Sequence, residues 1–121
     1  GGREFDLEAP VPIVDFKFHD GDTLKVGALK FDVIMTPGHT PGSVCLLLQD
    51  DTDEQKYYLF SGDTLFAQSI GRTDLVGGDE TKMTQSLERL DTLPDNVEVF
   101  PGHGTTTTLE LERAINQFWP R

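Results

Sequence analysis

The chain has 121 residues, enough for one domain with a real core and too few for two of ordinary size. Its 10 basic and 21 acidic side chains give a formal charge of −11, which repels phosphate and argues against nucleic acid or an anionic membrane as a partner. One cysteine, Cys45, has no disulfide partner and reads as a small buried hydrophobe; with no apolar run of spanning length and no signal-like start, a cytoplasmic setting is expected.

Gly1-Gly2 without an initiator methionine reads as a cloning remnant or a cut end, so a fragment is expected, with residues 1–12 an irregular lead-in and residues 13–121 the folded part. From Ile13, Val14, Phe16 and Phe18 alternate with Asp15, Lys17 and His19, the period of a half-buried strand with His19 on its solvated side. "TLKVGALKFDVIMT" predicts a hairpin about Gly27-Ala28. "SVCLLLQ" and "KYYLFSG" follow as strands separated by the acidic turn "DDTDEQ", which reads as a solvated loop. Residues 64–79 are a long glycine-rich connection. A helix is expected over about Glu80 to Leu90, capped by Asp79, with Met83, Leu87 and Leu90 on its buried face. After one more strand, "NVEVFPG", Thr107 and Glu110 have capping-box spacing for a second helix whose buried stripe is Leu111, Ile115 and Phe118.

Three of these strands end alike. "VIMTPGH" closes on His39, "YYLFSGD" on Asp63 and "VEVFPGH" on His103, each beside a glycine that permits a sharp turn and a close approach. Taken singly, the histidines read as turn residues and Asp63 as an Asx-turn or cap. The threefold recurrence of apolar strand, glycine and ligand points instead to a metal site at the carboxyl ends of strands. Imidazole with carboxylate suits Zn(II), Fe(II) or Mn(II), and the lack of usable thiolate argues against a closed structural zinc site.

"TPGHTPGS", "LFSGDTLF", "GRTD" and "PGHG", in this order and spacing, resemble the metallo-β-lactamase superfamily, most of all its glyoxalase II-like (hydroxyacylglutathione hydrolase-like) hydrolases; the resemblance runs from about Asp22 to the C-terminus. It implies an α+β chain forming the C-terminal half of an αββα sandwich, a mixed sheet with two helices on one face. By the same resemblance, His39 belongs to a first metal site, Asp63 bridges two metals, and His103 belongs to the second. Two divalent ions are implied, zinc foremost, with iron or manganese as the alternatives. The H-x-H-x-D-H motif that supplies the family's other ligands is absent from this chain.

The implied chemistry is hydrolysis of a small thioester or related acyl substrate by a metal-activated hydroxide, with Asp63 orienting it. Arg72 and Asp74 of "GRTD" would brace the adjacent loop, either against substrate or only as a local ion pair. A persulfide dioxygenase-like mononuclear iron enzyme and an inert fragment or binding module are the competing readings. The strands "SVCLLL" and "YYLF" are apolar on both faces while two helices cover one, so self-association or pairing with a missing N-terminal half is expected.

Overall fold

A computed structural model describes residues 2–7, 18–50, 52–53 and 55–121. In chain order its elements are β1 (Glu4–Leu7), β2 (Thr23–Val26), β3 (Leu29–Met35), β4 (Val44–Gln49), β5 (Tyr57–Gly62), β6 (Leu65–Phe66), β7 (Ser69–Ile70), α1 (Glu80–Leu90), β8 (Glu98–Pro101), β9 (Thr107–Thr108) and α2 (Leu109–Ile115). One seven-stranded sheet has the order β1-β2-β3-β4-β5-β8-β9, and β6 pairs with β7 in a separate ribbon. The pairs β1–β2 and β5–β8 are parallel and the others antiparallel, which makes the sheet mixed, as expected.

Strands β2 to β5 form a meander of short connections. Gly27, at φ 59°, turns the β2–β3 hairpin with the left-handed backbone that a two-residue loop requires. Across β4 the side chains alternate, so Cys45 and Leu47 join Leu59, Val97 and Val99 on one face, beneath Met83, Leu87 and Leu90 of α1 and Leu109 and Trp119 at α2. Each fully buried Leu, Val or Met among them contributes about 1.5–3 kcal/mol. On the other face Phe18, Leu24 and Val33 gather with Phe31, Val44 and Leu46.

Helix α1 forms where the sequence predicts it. The Asp79 carboxylate accepts from the Lys82 N–H at 3.0 Å, Glu80 complements the first turn, and Arg89 sits in the last. The C-terminal end of α1 is tied to α2 by Arg113, whose Nε donates to Asp91 Oδ1 at 2.8 Å and which also bonds Asp95 and the Leu93 carbonyl. That guanidinium, with a further bond from the Trp119 indole at 3.0 Å, outweighs partial burial and holds the Asp91 carboxyl below its usual range.

Several expectations need correcting. The lead-in is not irregular throughout, since Glu4–Leu7 pairs along β2 in register. The connection at residues 64–79 contains the β6–β7 ribbon. Helix α2 is capped by Thr108, whose hydroxyl accepts from the Leu111 N–H at 3.2 Å; Thr107 lies in β9, so the Thr107–Glu110 box does not form. Its expected apolar stripe faces outward, with Leu111 47%, Ile115 47% and Phe118 46% exposed, while Leu109, Glu112 and Asn116 are buried. The strand expected from Ile13 lies outside the described residues except at Phe18, which is buried, and His19 is exposed as expected. Among the described residues no helix is long and apolar enough to cross a membrane.

The start of β1 is fastened by a buried acid. Asp22, only 1% exposed, accepts from the His19 N–H at 2.6 Å, the Arg3 N–H at 2.9 Å and the Arg3 guanidinium at 3.0 Å. Burial by itself would raise this carboxyl, but those donors outweigh it and hold the pKa at about 2. A folded value below the unfolded one, about 3.9, stabilises the fold above that unfolded value, and the contribution is lost as pH falls toward 2. Thermal melts of the wild type and Asp22→Asn across pH 2 to 7 are therefore expected to show a gap near neutrality that closes between about pH 4 and pH 2. A gap independent of pH would show that Asp22 is not ionised in the fold.

Candidate metal centre

Because β3 and β5 are both antiparallel to β4, and β8 is parallel to β5, the three strands run the same way and end at one edge. His39, Asp63 and His103 follow those three ends and converge there. His39 Nε2 lies 3.7 Å from Asp63 Oδ2, and His103 Nδ1 lies 3.1 Å from Asp63 Oδ1. Asp63 thus stands in the middle, one carboxylate oxygen toward each imidazole. Between Phe60 and Gly62 the register of β5 against β8 shifts, a bulge that re-aims the residue beyond the strand.

Each end is held from below. Thr36, Cys45, Ser61 and Thr64 are fully buried beneath the centre; the Thr36 and Thr64 hydroxyls bond at 2.9 Å, joining the strand end that carries His39 to the one that carries Asp63. Burial pushes the Cys45 thiol up to about 11 against its hydrogen bonds from the threonines, so it stays a neutral packing group. Helix α1 grips the His39 turn through the Asp79 N–H, which donates to the Gly38 carbonyl at 2.7 Å, and the Ser86 hydroxyl, which donates to the Pro37 carbonyl at 2.7 Å. Gly38 is at φ 149°, and a Cβ there would stand 2.6 Å from the Met83 Cα.

The ring of His39 is fixed by a partner that the sequence did not signal. His39 Nδ1 lies 2.9 Å from the Arg72 carbonyl oxygen. A carbonyl only accepts, so Nδ1 carries the proton in this bond, and in the neutral ring Nε2 presents its lone pair toward Asp63. This approach of the loop depends on Gly71, where a Cβ would fall 1.8 Å from the Asp63 carbonyl oxygen. The Arg72 side chain turns away and pairs with Asp74 in two bonds of 2.9 and 3.0 Å, both groups largely exposed. The loop therefore braces the centre through its backbone, and the "GRTD" ion pair is local. Phe66 lies edge-on to the His103 ring, with centroids 6.0 Å apart.

In the neutral ring the Nε2 lone pair and Asp63 Oδ2, 3.7 Å apart, repel each other unless a cation lies between them. The donor set thus fits a divalent metal of the kind bound by imidazole and carboxylate. Among the described residues no group of three His, Cys, Asp or Glu side chains closes around one ion. What the described residues form is two candidate half-sites sharing Asp63, each with one imidazole.

Comparison with known proteins agrees with this geometry. The metallo-beta-lactamase superfamily model matches residues 2–103. Curated relatives include the probable metallo-hydrolase YqgX of Bacillus subtilis, 42% identical over 82% of this chain and 44% of its own length. Hydroxyacylglutathione hydrolase GloC of Haemophilus influenzae is 36% identical over 82% and 45%, and the mitochondrial persulfide dioxygenase ETHE1 of Bos taurus is 35% identical over 84% and 40%. Among solved structures, ETHE1 from Myxococcus xanthus superposes at a TM-score of 0.73, with 39% identity over 82% of this chain and 43% of that one. TTHA1623, solved in a di-iron-bound form, superposes at 0.69, with 39% identity over 90% and 50%. The chain spans about half the length of the curated relatives it matches. By the match over residues 2–103 and the strand-end geometry together, this chain belongs to the metallo-beta-lactamase superfamily.

Proposed function

We propose that this chain is the C-terminal half of a metal-dependent hydrolase of the glyoxalase II-like type, acting on a small thioester or related acyl substrate. The observation that carries the reading is the placement of Asp63, with one carboxylate oxygen toward His39 and the other toward His103. In this reading His39 serves the first of two divalent ions, zinc foremost, His103 serves the second, and Asp63 serves both. When bound, such ions supply Lewis acidity and a water whose pKa is lowered to about 7.

The protein's own part is positional. The Arg72 carbonyl keeps the Nδ1 proton on His39 and leaves Nε2 free to ligate, the arrangement expected of an outer partner that fixes a metal-binding tautomer. Asp63, placed by the bulge of β5 with one carboxylate oxygen toward each ring, would hold the ions and through them orient the attacking group. The buried Thr36–Thr64 bond keeps the two strand ends from spreading.

A mononuclear persulfide dioxygenase is the second reading, favoured by relatives of that name at an identity close to that of the hydrolase. The second imidazole at Asp63, His103 Nδ1 at 3.1 Å from Oδ1, favours the two-ion hydrolase. The test uses a full-length protein carrying this segment, assayed for metal content, thioester cleavage and oxygen uptake with a persulfide. Two metals per chain with thioester turnover is the expected result. One iron per chain with oxygen uptake would replace it with the dioxygenase, and neither metal nor turnover with a binding module.

A further inference from the structure

We propose that Glu112 is a positioning residue for the candidate centre, its carboxylate tying the segment that follows Asp63 to the segment that follows His103. The proposal rests on the reading of those two side chains as ligands. Glu112 lies on α2, fully buried. Its Oε1 accepts from the Gln68 N–H at 2.7 Å and from Asn116 Nδ2 at 2.8 Å, and its Oε2 accepts from the Thr107 hydroxyl at 2.7 Å. All three donors are neutral. A carboxyl group taken from water costs free energy unless its acceptor sites are filled, so a buried acid with this set of bonds is geometrically committed.

The two tethered points lie just beyond the ligands. Gln68 tips the β6–β7 ribbon that continues from Asp63, and it holds a left-handed φ of 61°, uncommon for a non-glycine residue. Phe66, on β6 of that ribbon, carries the ring that meets His103. Thr107 lies where the chain running on from His103 enters β9. Asn116 closes the arrangement by donating also to the Ser69 carbonyl at 3.1 Å. One buried side chain therefore sets the ribbon's position against the loop of His103, and with it the contact between Phe66 and the imidazole.

Arg113 supplies the control. It neighbours Glu112 in sequence, but its bonds to Asp91, Asp95 and the Leu93 carbonyl all lie at the C-terminal end of α1, away from both ligand segments. Glu112→Ala and Arg113→Ala are both expected to lower the melting temperature, and only the first is expected to disturb the centre. Glu112→Gln is expected to restore it. The glutamine oxygen serves Gln68 and Asn116, and its amide donates to the Thr107 hydroxyl, which turns from donor to acceptor.

Two readouts decide the matter. In the metal-free chain, NMR of the His103 ring protons reads the displacement caused by the Phe66 ring. That displacement is expected to collapse in Glu112→Ala toward its value in Phe66→Ala, and to persist in Glu112→Gln and Arg113→Ala. In Co(II) titrations of full-length proteins carrying the same substitutions, Glu112→Ala is expected to weaken binding several-fold, with Glu112→Gln close to wild type. Should Glu112→Ala not fold, Thr107→Val removes only the Oε2 bond and is expected to shift the His103 signal in the same direction. Identical His103 signals in the Glu112 or Thr107 variant and in Arg113→Ala overturn the positioning role. Co(II) binding by Asp63→Ala equal to wild type overturns the metal reading separately, because the ring signal is measured without metal.

Discussion

Replacing Asp63 with alanine is expected to strip both metal and turnover from a full-length protein carrying this segment. Loss of an outer partner of a metal ligand typically lowers affinity or activity 10- to 100-fold, so loss of a carboxylate facing both imidazoles is expected to cost at least about 100-fold. Elemental analysis and thioester turnover of the same preparation check this. The 121-residue chain alone is expected to show little or no turnover, because two half-sites with one imidazole each hold ions weakly. Substantial hydrolysis by the isolated chain, abolished by Asp63→Ala, would mean that the centre is complete without further donors. Full metal content in the full-length variant would remove Asp63 from the centre.

The isolated chain is also expected to self-associate through the sheet face that the helices do not cover. Phe31, Phe60 and Phe100 form a continuous aromatic row there, with Phe31 and Phe60 edge to face at 5.7 Å and Phe60 and Phe100 stacked at 5.4 Å. Tyr58 extends the row, tilted on Phe100 at 6.0 Å, and Phe60 at its centre is 38% exposed. Such a patch ordinarily marks a surface that meets another. Light scattering with mass spectrometry of the same sample is expected to report a species larger than one chain, either a self-associated form or a complex with a co-purified N-terminal half. Phe60→Glu, which places a charge in the middle of the row, is expected to return the monomer. A wild-type monomer at high concentration would show that the face is covered by other means.

How much of this was legible in the sequence depended on whether hydropathy and burial agree. They agree in α1, where Asp79, Met83, Leu87 and Leu90 announce both cap and face. They agree also in β3, β5 and β8, where an apolar run ending on glycine and a ligand locates His39, Asp63 and His103 at one edge. In α2 they disagree. Beside Leu109 its inward side is Glu112 and Asn116, admitted because every polar atom finds a partner, while Leu111 and Ile115 face out. Hydropathy cannot express that exchange, so the stripe of Leu111, Ile115 and Phe118 was assigned to the wrong side. Four-residue β1 was missed because its anchor is the distant Asp22, and the grip on His39 because it comes from the main chain at Arg72, whose side chain does not take part.

The mixed connectivity of the sheet also bears on the order in which the molecule assembles. Paired residues in the meander are close in sequence, as at Val26 with Leu29 and at Gln49 with Tyr57, whereas β5 meets β8 through pairs as distant as Tyr58 and Glu98. Loop-closure entropy grows with the length enclosed, and non-local parallel pairing is slow. The meander is therefore expected to close first, bringing His39 and Asp63 together, and β8 to dock later with His103. A polypeptide caught between those steps would hold the His39–Asp63 pair and lack His103, so the proposed second ion site would be completed only when β8 docks on β5.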